Sequence, residues 1–160
     1  MTLAVLNALD AADAERELLR CCGSERWAQR MAAMRPFVTF DALAGAADGI
    51  GASLERADWL EAFAAHPRIG ECTRSSWEAG EQAGVTSDAR ARFEALNRDY
   101  EARFGYIFIV CATGKGAGEM LDMLERRLRH DAATELRVAA EEQRRITRLR
   151  LAKLLEAPTT

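Results

Sequence analysis

The side chain best placed to do chemistry in this chain is His66, in the stretch Ala64-Ala65-His66-Pro67-Arg68-Ile69-Gly70-Glu71. Upstream, Asp58-Trp59-Leu60-Glu61-Ala62-Phe63 reads as an amphipathic helix with Trp59, Leu60 and Phe63 on one face. Pro67 has no backbone N–H and disfavours helical geometry at the residue before it, so that helix is expected to end near Ala65. His66 then stands at a helix exit on a stiffened backbone, with Gly70 free to turn the chain. A histidine carried in this way can be aimed at a ligand. On the residues alone, the plainer reading is a surface histidine at a helix C-terminus, favoured by the dipole. Two residues of the following polar segment could tune it. If the segment folds back, Glu81 can hold the imidazole and raise its pKa, keeping the protonated form available near neutrality. Gln82 offers a donor and an acceptor to an amide-like ligand. Both residues are also plausible as plain solvent-exposed side chains.

A third candidate lies far along the chain. Leu136, Ala139, Gln143, Ile146 and Arg150 recur at a spacing of three to four, so Arg150 projects along the same helical stripe as Ile146. A guanidinium on a core-facing stripe is costly unless it is paired or its head reaches a polar cavity. It is read either as an anion or carbonyl clamp, or as an arginine snorkelling at the helix end. The loop Gly114-Lys115-Gly116-Ala117-Gly118 before a helix invites a phosphate-binding reading. It lacks the G-x-x-x-x-G-K-[ST] pattern and any repeated strand–helix unit, so it reads as a flexible lead into a helix.

The elements that must position these groups are helical. Leu3, Leu6 and Leu9 begin a short helix, and Asp13 to Cys22 is expected to be a second, ended by Gly23. Ser24 is a credible N-cap for Glu25 to Met34, which stops before Pro36. Thr39 caps a helix through Asp41 to Ala47, and Asp48-Gly49-Ile50-Gly51-Ala52-Ser53 reads as a loop or broken turn. Glu71 to Thr86 is polar and glycine-punctuated, with Trp77 as an anchor and a short helical piece over Glu78 to Ala83. Ser87 is expected to cap a helix from Asp88 to Phe104, ended by Gly105. Tyr106-Ile107-Phe108-Ile109-Val110-Cys111 is the one strand-like run, and it has no partner with which to build a sheet. It is expected to be a buried extended or tightly wound segment. A helix from about Ala117 to His130 follows, and then a long one capped by Asp131 or Thr134 and ending near Leu155. The fold expected is all-α, a single-domain multi-helix bundle over residues 1–160 with one irregular segment at about 106–111.

Composition narrows the function classes. The formal charge is −3, with 49% apolar and 29% charged residues, as in a soluble globular protein and without a field for nucleic acid or anionic membrane. Basic residues gather in Arg126-Arg127-Leu128-Arg129 and in Arg144-Arg145-Ile146-Thr147-Arg148-Leu149-Arg150. Glu125, Glu135, Glu141 and Glu142 are interleaved with them, which reads as a solvated helix face. No apolar run approaches the roughly 20 residues needed to span a bilayer. Neither a secretory start nor a recognised peroxisomal address is seen, so the cytoplasm is expected. Cys21, Cys22, Cys72 and Cys111 contain no C-x-x-C and are expected to be reduced and mostly buried. With two histidines, a three-histidine metal centre within one chain is impossible. No metal site is expected.

Four stretches together carry a family resemblance. His66-Pro67-Arg68-Ile69-Gly70-Glu71, then Ser75-Ser76-Trp77 with Glu81-Gln82-Ala83-Gly84, then Phe104-Gly105-Tyr106-Ile107-Phe108-Ile109, then Ile146-Thr147-Arg148-Leu149-Arg150-Leu151 resemble the OHCU decarboxylases. These enzymes convert 2-oxo-4-hydroxy-4-carboxy-5-ureidoimidazoline to (S)-allantoin in urate breakdown. The resemblance runs through essentially the whole chain, and four motifs in order make it specific where each alone is weak. It implies an all-helical homodimer acting on a small ureidoimidazoline without a cofactor. By motif, His66 matches the catalytic histidine and Pro67 its neighbour in the pocket. Glu81 and Gln82 match the acid and amide that meet the substrate, the Phe108-Ile109-Val110 backbone matches a pocket-lining segment, and Arg150 matches the arginine of the last helix. Glu78 is also placed among the substrate-binding positions, although relatives often carry serine there. An added carboxylate at that point would repel an anionic substrate. The rival reading is a non-enzymatic helical interaction module whose basic last helix docks on an acidic partner.

Overall fold

A computed structural model of the chain describes residues 1–67 and 87–156. The described residues form eight helices and no strand: α1 (Leu3–Ala8), α2 (Ala11–Leu19), α3 (Glu25–Ala33), α4 (Phe40–Ala52), α5 (Arg56–Ala64), α6 (Ser87–Phe104), α7 (Ala117–Arg127) and α8 (Ala132–Leu155). The all-α class expected from the sequence is therefore what the chain adopts. The short helical piece expected over 78–83, the Trp77 anchor and Cys72 lie outside the described residues. The chain divides into two compact units, one of Met1–Ala62 with the chain from Gln143 onward, the other of Phe63–Glu142.

In the first unit the helix starts follow the capping chemistry of the sequence. Thr2 Oγ1 accepts from the Val5 N–H (3.2 Å), Ser24 Oγ from the Trp27 N–H (3.2 Å) and Thr39 Oγ1 from the Ala42 N–H (3.1 Å). Helix α5 starts differently: Asp58, in its first turn, reaches back to accept the Glu55 N–H at 3.1 Å. Helix α2 packs on α3 and α3 on α4. Leu6, Leu18, Trp27, Met31, Leu43 and Leu151 are fully buried there. The Trp27 indole N–H finds the Ala47 carbonyl (3.3 Å), so its polar edge is not orphaned by burial. The chain between α3 and α4 is tied to α1 by side chains. Asn7 exchanges both of its amide bonds with the Phe37 backbone (2.8 and 2.9 Å), and Arg35 donates to the Leu6 and Leu9 carbonyls at the end of α1 (2.8 and 2.7 Å).

Two local expectations need correction here. Helix α4 does not stop at Ala47 but runs to Ala52. Leu43, Ala44, Ala47, Ile50 and Gly51 form one buried stripe, and packing of that stripe outweighs the roughly 1 kcal/mol that each glycine costs a helix. The Ser53 hydroxyl closes the end on the Ile50 carbonyl at 2.7 Å. Helix α2 begins at Ala11 and ends at Leu19, so Cys21 and Cys22 lie in the turn before α3 rather than in the helix. Both thiols are buried and unbridged, as is Cys111.

In the second unit Phe93, Tyr100 and Phe104 form the buried stripe of α6, and Gly105 ends it at φ +83°, a conformation that favours glycine. The run from Tyr106 to Cys111 then has no strand partner among the described residues, and all of it but Ile107 is buried. Aromatic rings hold it. Tyr106 lies 5.2 Å from Phe63 and 5.9 Å from Tyr100, and Phe108 lies 5.5 Å from Tyr100, the last two edge to face. Helix α7 packs on α6, and it ends at Arg127 rather than at His130 as expected. Asp131 caps α8 by accepting the Thr134 N–H at 2.7 Å.

Candidate functional site

Helix α5 ends at Ala64, as the Pro67 rule requires, and the His66 N–H makes a last turn-closing bond to the Phe63 carbonyl at 3.1 Å. His66 is half-buried and Pro67 exposed. The same Phe63 lays its ring against Tyr106, so the histidine-bearing helix end and the start of the irregular segment share one aromatic contact. Phe108, Ile109 and Val110 are all buried in that segment. Within the second unit, that contact brings the helix end before His66 against the start of the run that leads to Phe108–Val110. Glu78, Glu81 and Gln82 lie outside the described residues.

Arg150 belongs to the first unit and is half-buried. Burial pushes the Cys21 thiol up to about 11, and the Arg150 charge is the foremost influence opposing that rise. The Cys22 thiol is raised by the same desolvation and lowered by its bonds to Ser24 and Thr147 and again by Arg150. The guanidinium charge is therefore felt at both thiols of the α2–α3 turn. The stripe of α8 sits about one residue round from its expected position. Glu135, Ala139, Glu142, Gln143, Thr147 and Leu151 are buried, while Leu136, Ile146 and Arg150 flank them half-exposed. Gln143 donates to the Thr147 hydroxyl at 3.0 Å beside a cavity of about 20 Å³ walled by Trp27, Trp59 and Gly51, a space for one water rather than a substrate. Asp48 takes both Arg144 and Arg148 at 3.3 Å, which offsets part of the basic surface of the last helix.

Of the charged residues expected to form a solvated face, Arg126, Arg129, Arg145 and Arg148 are exposed, whereas Arg127, Glu135 and Glu142 are buried. Arg127 is 3% exposed and Glu135 fully buried. The Arg127 Nε and Nη2 both reach Glu135 Oε1, at 2.7 and 2.6 Å, and its Nη1 donates to the Ile109 carbonyl. The Tyr100 hydroxyl donates to the same carboxylate oxygen, and His130 Nδ1 meets Oε2 at 3.0 Å. The Arg127 guanidinium lies 4.5 Å from the centre of the Phe108 ring. Burial, and then the bond to Glu135, push the Tyr100 phenol well above its ordinary range. Charged residues at 127 and 135 look like surface residues in a helix-rich sequence, and only their partners make them core. The sequence does hold one signal, because Glu135 falls in line with Ala139, Glu142 and Gln143. Among the described residues, no group of three or more His, Cys, Asp or Glu side chains is arranged to hold a metal ion.

Comparison with known proteins gives one consistent result. The family model described as OHCU decarboxylase matches residues 7–152. The chain is 38% identical over 151 residues to the uric acid degradation bifunctional protein TTL of Arabidopsis thaliana, covering 88% of this chain and 47% of that one. It thus spans about half the length of that two-function relative. It is 33% identical over 132 residues to the 2-oxo-4-hydroxy-4-carboxy-5-ureidoimidazoline decarboxylase of Haloferax volcanii, covering 79% of each chain. The crystal structure of an OHCU decarboxylase in the presence of (S)-allantoin superposes with a TM-score of 0.78 at 37% identity, over 88% of this chain and 98% of that one. An (S)-allantoin synthase, 23% identical and covered over 55% of its length, shares the fold over 98% of this chain with a TM-score of 0.76.

Proposed function

The chain belongs to the OHCU decarboxylase family, and from that premise we propose that it is a carboxy-lyase turning 2-oxo-4-hydroxy-4-carboxy-5-ureidoimidazoline into (S)-allantoin in urate breakdown. It works as one domain, a cytoplasmic homodimer without a cofactor. The observation that carries this reading is the match over residues 7–152, which takes in every candidate site residue from His66 to Arg150.

The substrate supplies its own electron sink. Its carboxylate leaves a carbon next to an imine-like centre, so as the carbon–carboxylate bond breaks, the electron pair enters the ring and CO₂ departs. Elsewhere a pyridoxal or thiamine cofactor performs this task. What remains for the protein is to orient the carboxylate, take up the hydroxyl proton and protonate one face of the enediamine-like species. His66 is the acid–base group, and its half-buried position at a proline-stiffened helix end suits a ring that must be both aimed and reachable. Glu81 polarises it. Gln82 and Arg150 bind the ring and ureido carbonyls rather than the departing carboxylate, since a tight arginine–carboxylate pair would stabilise the ground state more than the transition state. Pro67, Glu78 and the Phe108-Ile109-Val110 backbone complete the set of substrate-binding positions.

The test is to generate the unstable substrate in place, add the protein, and follow the optical activity of the product. Wild type is expected to form (S)-allantoin faster than the spontaneous reaction. His66→Ala should lose at least about 100-fold in rate, the low end of what acid–base catalysis contributes. Unchanged stereospecific turnover in a folded His66→Ala protein refutes the assignment.

A further inference from the structure

We propose that Arg127, held by Glu135, is a positioning residue of this reaction: it fixes the peptide plane between Ile109 and Val110 and so aims the Val110 N–H at a carbonyl of the substrate. This rests on the reading that the Phe108–Val110 backbone lines the pocket. Among the described residues the segment has no neighbouring strand, so no ladder bonds there set the orientation of its peptide planes. A side chain does so instead. Arg127 Nη1 takes the Ile109 carbonyl, while Nε and Nη2 are occupied by Glu135 and the guanidinium face lies on the Phe108 ring. A planar fork with three of its edges committed has little freedom to swing.

In a trans peptide the C=O and the following N–H point in opposite directions. The sole cis bond among the described residues is Arg35–Pro36, so the Ile109–Val110 unit is trans. Pinning the Ile109 oxygen on the buried guanidinium therefore turns the Val110 N–H away from it. Glu135 is needed because an uncompensated guanidinium at this depth would be expelled or would draw in water. Tyr100 and His130 complete the carboxylate from α6 and from the turn before α8. The donor is thus set by four residues, none of which has to touch substrate.

Arg127→Lys keeps the charge but has a single ammonium in place of the fork, so it cannot serve Glu135 and the Ile109 carbonyl in the same geometry. The full chain is assayed with substrate generated in place, and (S)-allantoin is titrated while the Val110 amide is watched by ¹⁵N NMR. In wild type the Val110 amide should shift on titration. In folded Arg127→Lys the amide should already be displaced without ligand, KM should rise at least tenfold, and kcat should change less than threefold. A structural role alone would lower the unfolding midpoint and leave KM in place. KM within twofold of wild type in the folded variant overturns the proposal, as does a wild-type Val110 amide that ignores (S)-allantoin. Should Arg127→Lys fail to fold, the triple variant Tyr100→Phe/Arg127→Met/Glu135→Leu replaces the buried members of the cluster by apolar side chains and leaves the half-buried His130 in place. Its KM is read by the same criterion. A wild-type protein with no decarboxylase activity sinks the carboxy-lyase reading. A Val110 amide that moves with Arg127→Lys but not with (S)-allantoin sinks only the substrate role of the clamp.

Discussion

Replacing Tyr100 by phenylalanine removes one oxygen from the centre of the second unit and nothing else. The ring stays between Phe104, Tyr106 and Phe108, at 4.8, 5.9 and 5.5 Å, so no cavity opens. What is lost is the O–H bond to a fully buried carboxylate, together with a long contact of 3.5 Å in which Arg127 Nη2 donates to the phenol oxygen. A hydrogen bond to a charged group contributes about 1.5–3 kcal/mol. Glu135 keeps its Arg127 and His130 contacts, so the loss should stay near the lower half of that range, about 2 kcal/mol. With a urea dependence of about 2 kcal/mol per molar for a chain of this size, the midpoint should fall by about 1 M.

Glu135→Ala is the companion variant, and it should do more. It leaves the Arg127 guanidinium buried without its counter-ion, which costs about 3–5 kcal/mol. The order Glu135→Ala below Tyr100→Phe below wild type is therefore required. The pH dependence of the Tyr100→Phe effect has a definite sign. The phenol is raised in the folded state above its ordinary 10.0, so its stabilising contribution is complete below pH 10 and falls as the unfolded chain ionises above it. The gap between wild type and Tyr100→Phe should narrow as urea titrations move from pH 8 to beyond pH 10. A gap below about 0.5 kcal/mol at pH 8, the size of an ordinary surface substitution, would refute the view that a charged Glu135 is organised around this phenol.

Two further predictions concern the first unit. Ser24 is fully buried and caps α3, so Ser24→Ala should lower stability by about 1 kcal/mol in the same urea assay and Ser24→Gly by only a few tenths. Burial holds the Cys21 thiol at about 11, so at pH 8 iodoacetamide should label Cys21 only as fast as the protein opens, as peptide mapping would show. The stability gained by keeping that thiol neutral should be present below pH 9 and be lost as pH climbs towards 11.

Local rules carried much of the architecture because several of its elements are decided locally. Ser24, Thr39 and Asp131 cap the helices assigned to them, Pro67 stops α5 where its missing N–H demands, and Gly105 ends α6 in the left-handed region. The lone run at 106–111 was readable as a buried non-strand segment because a β-rich stretch without a partner has few other places to go. Helix α4 outruns its expected end through Gly49 and Gly51 for the opposite reason. Propensity sees two weak residues, whereas the fold sees Ile50 between them, buried on the same stripe as Leu43 and Ala47.

The candidate site divides along the same line. His66 could be singled out because a proline next to it announces a fixed backbone. Arg127 and Glu135 could not, since a charge reads as solvent-facing until its partners are known. Their partners come from α6, from the turn before α8 and from a backbone carbonyl eighteen residues upstream. The cost of burying either charge alone exceeds what any single helix stripe returns, so the pair exists only as a tertiary fact. The carbonyl it holds lies in the segment that the family resemblance assigns to the substrate. A buried ion pair is weak evidence for stability, and apolar side chains could fill that space as well. Its planar fork can orient a peptide, which no apolar side chain can, and that difference is the reason for expecting the pair to act on KM.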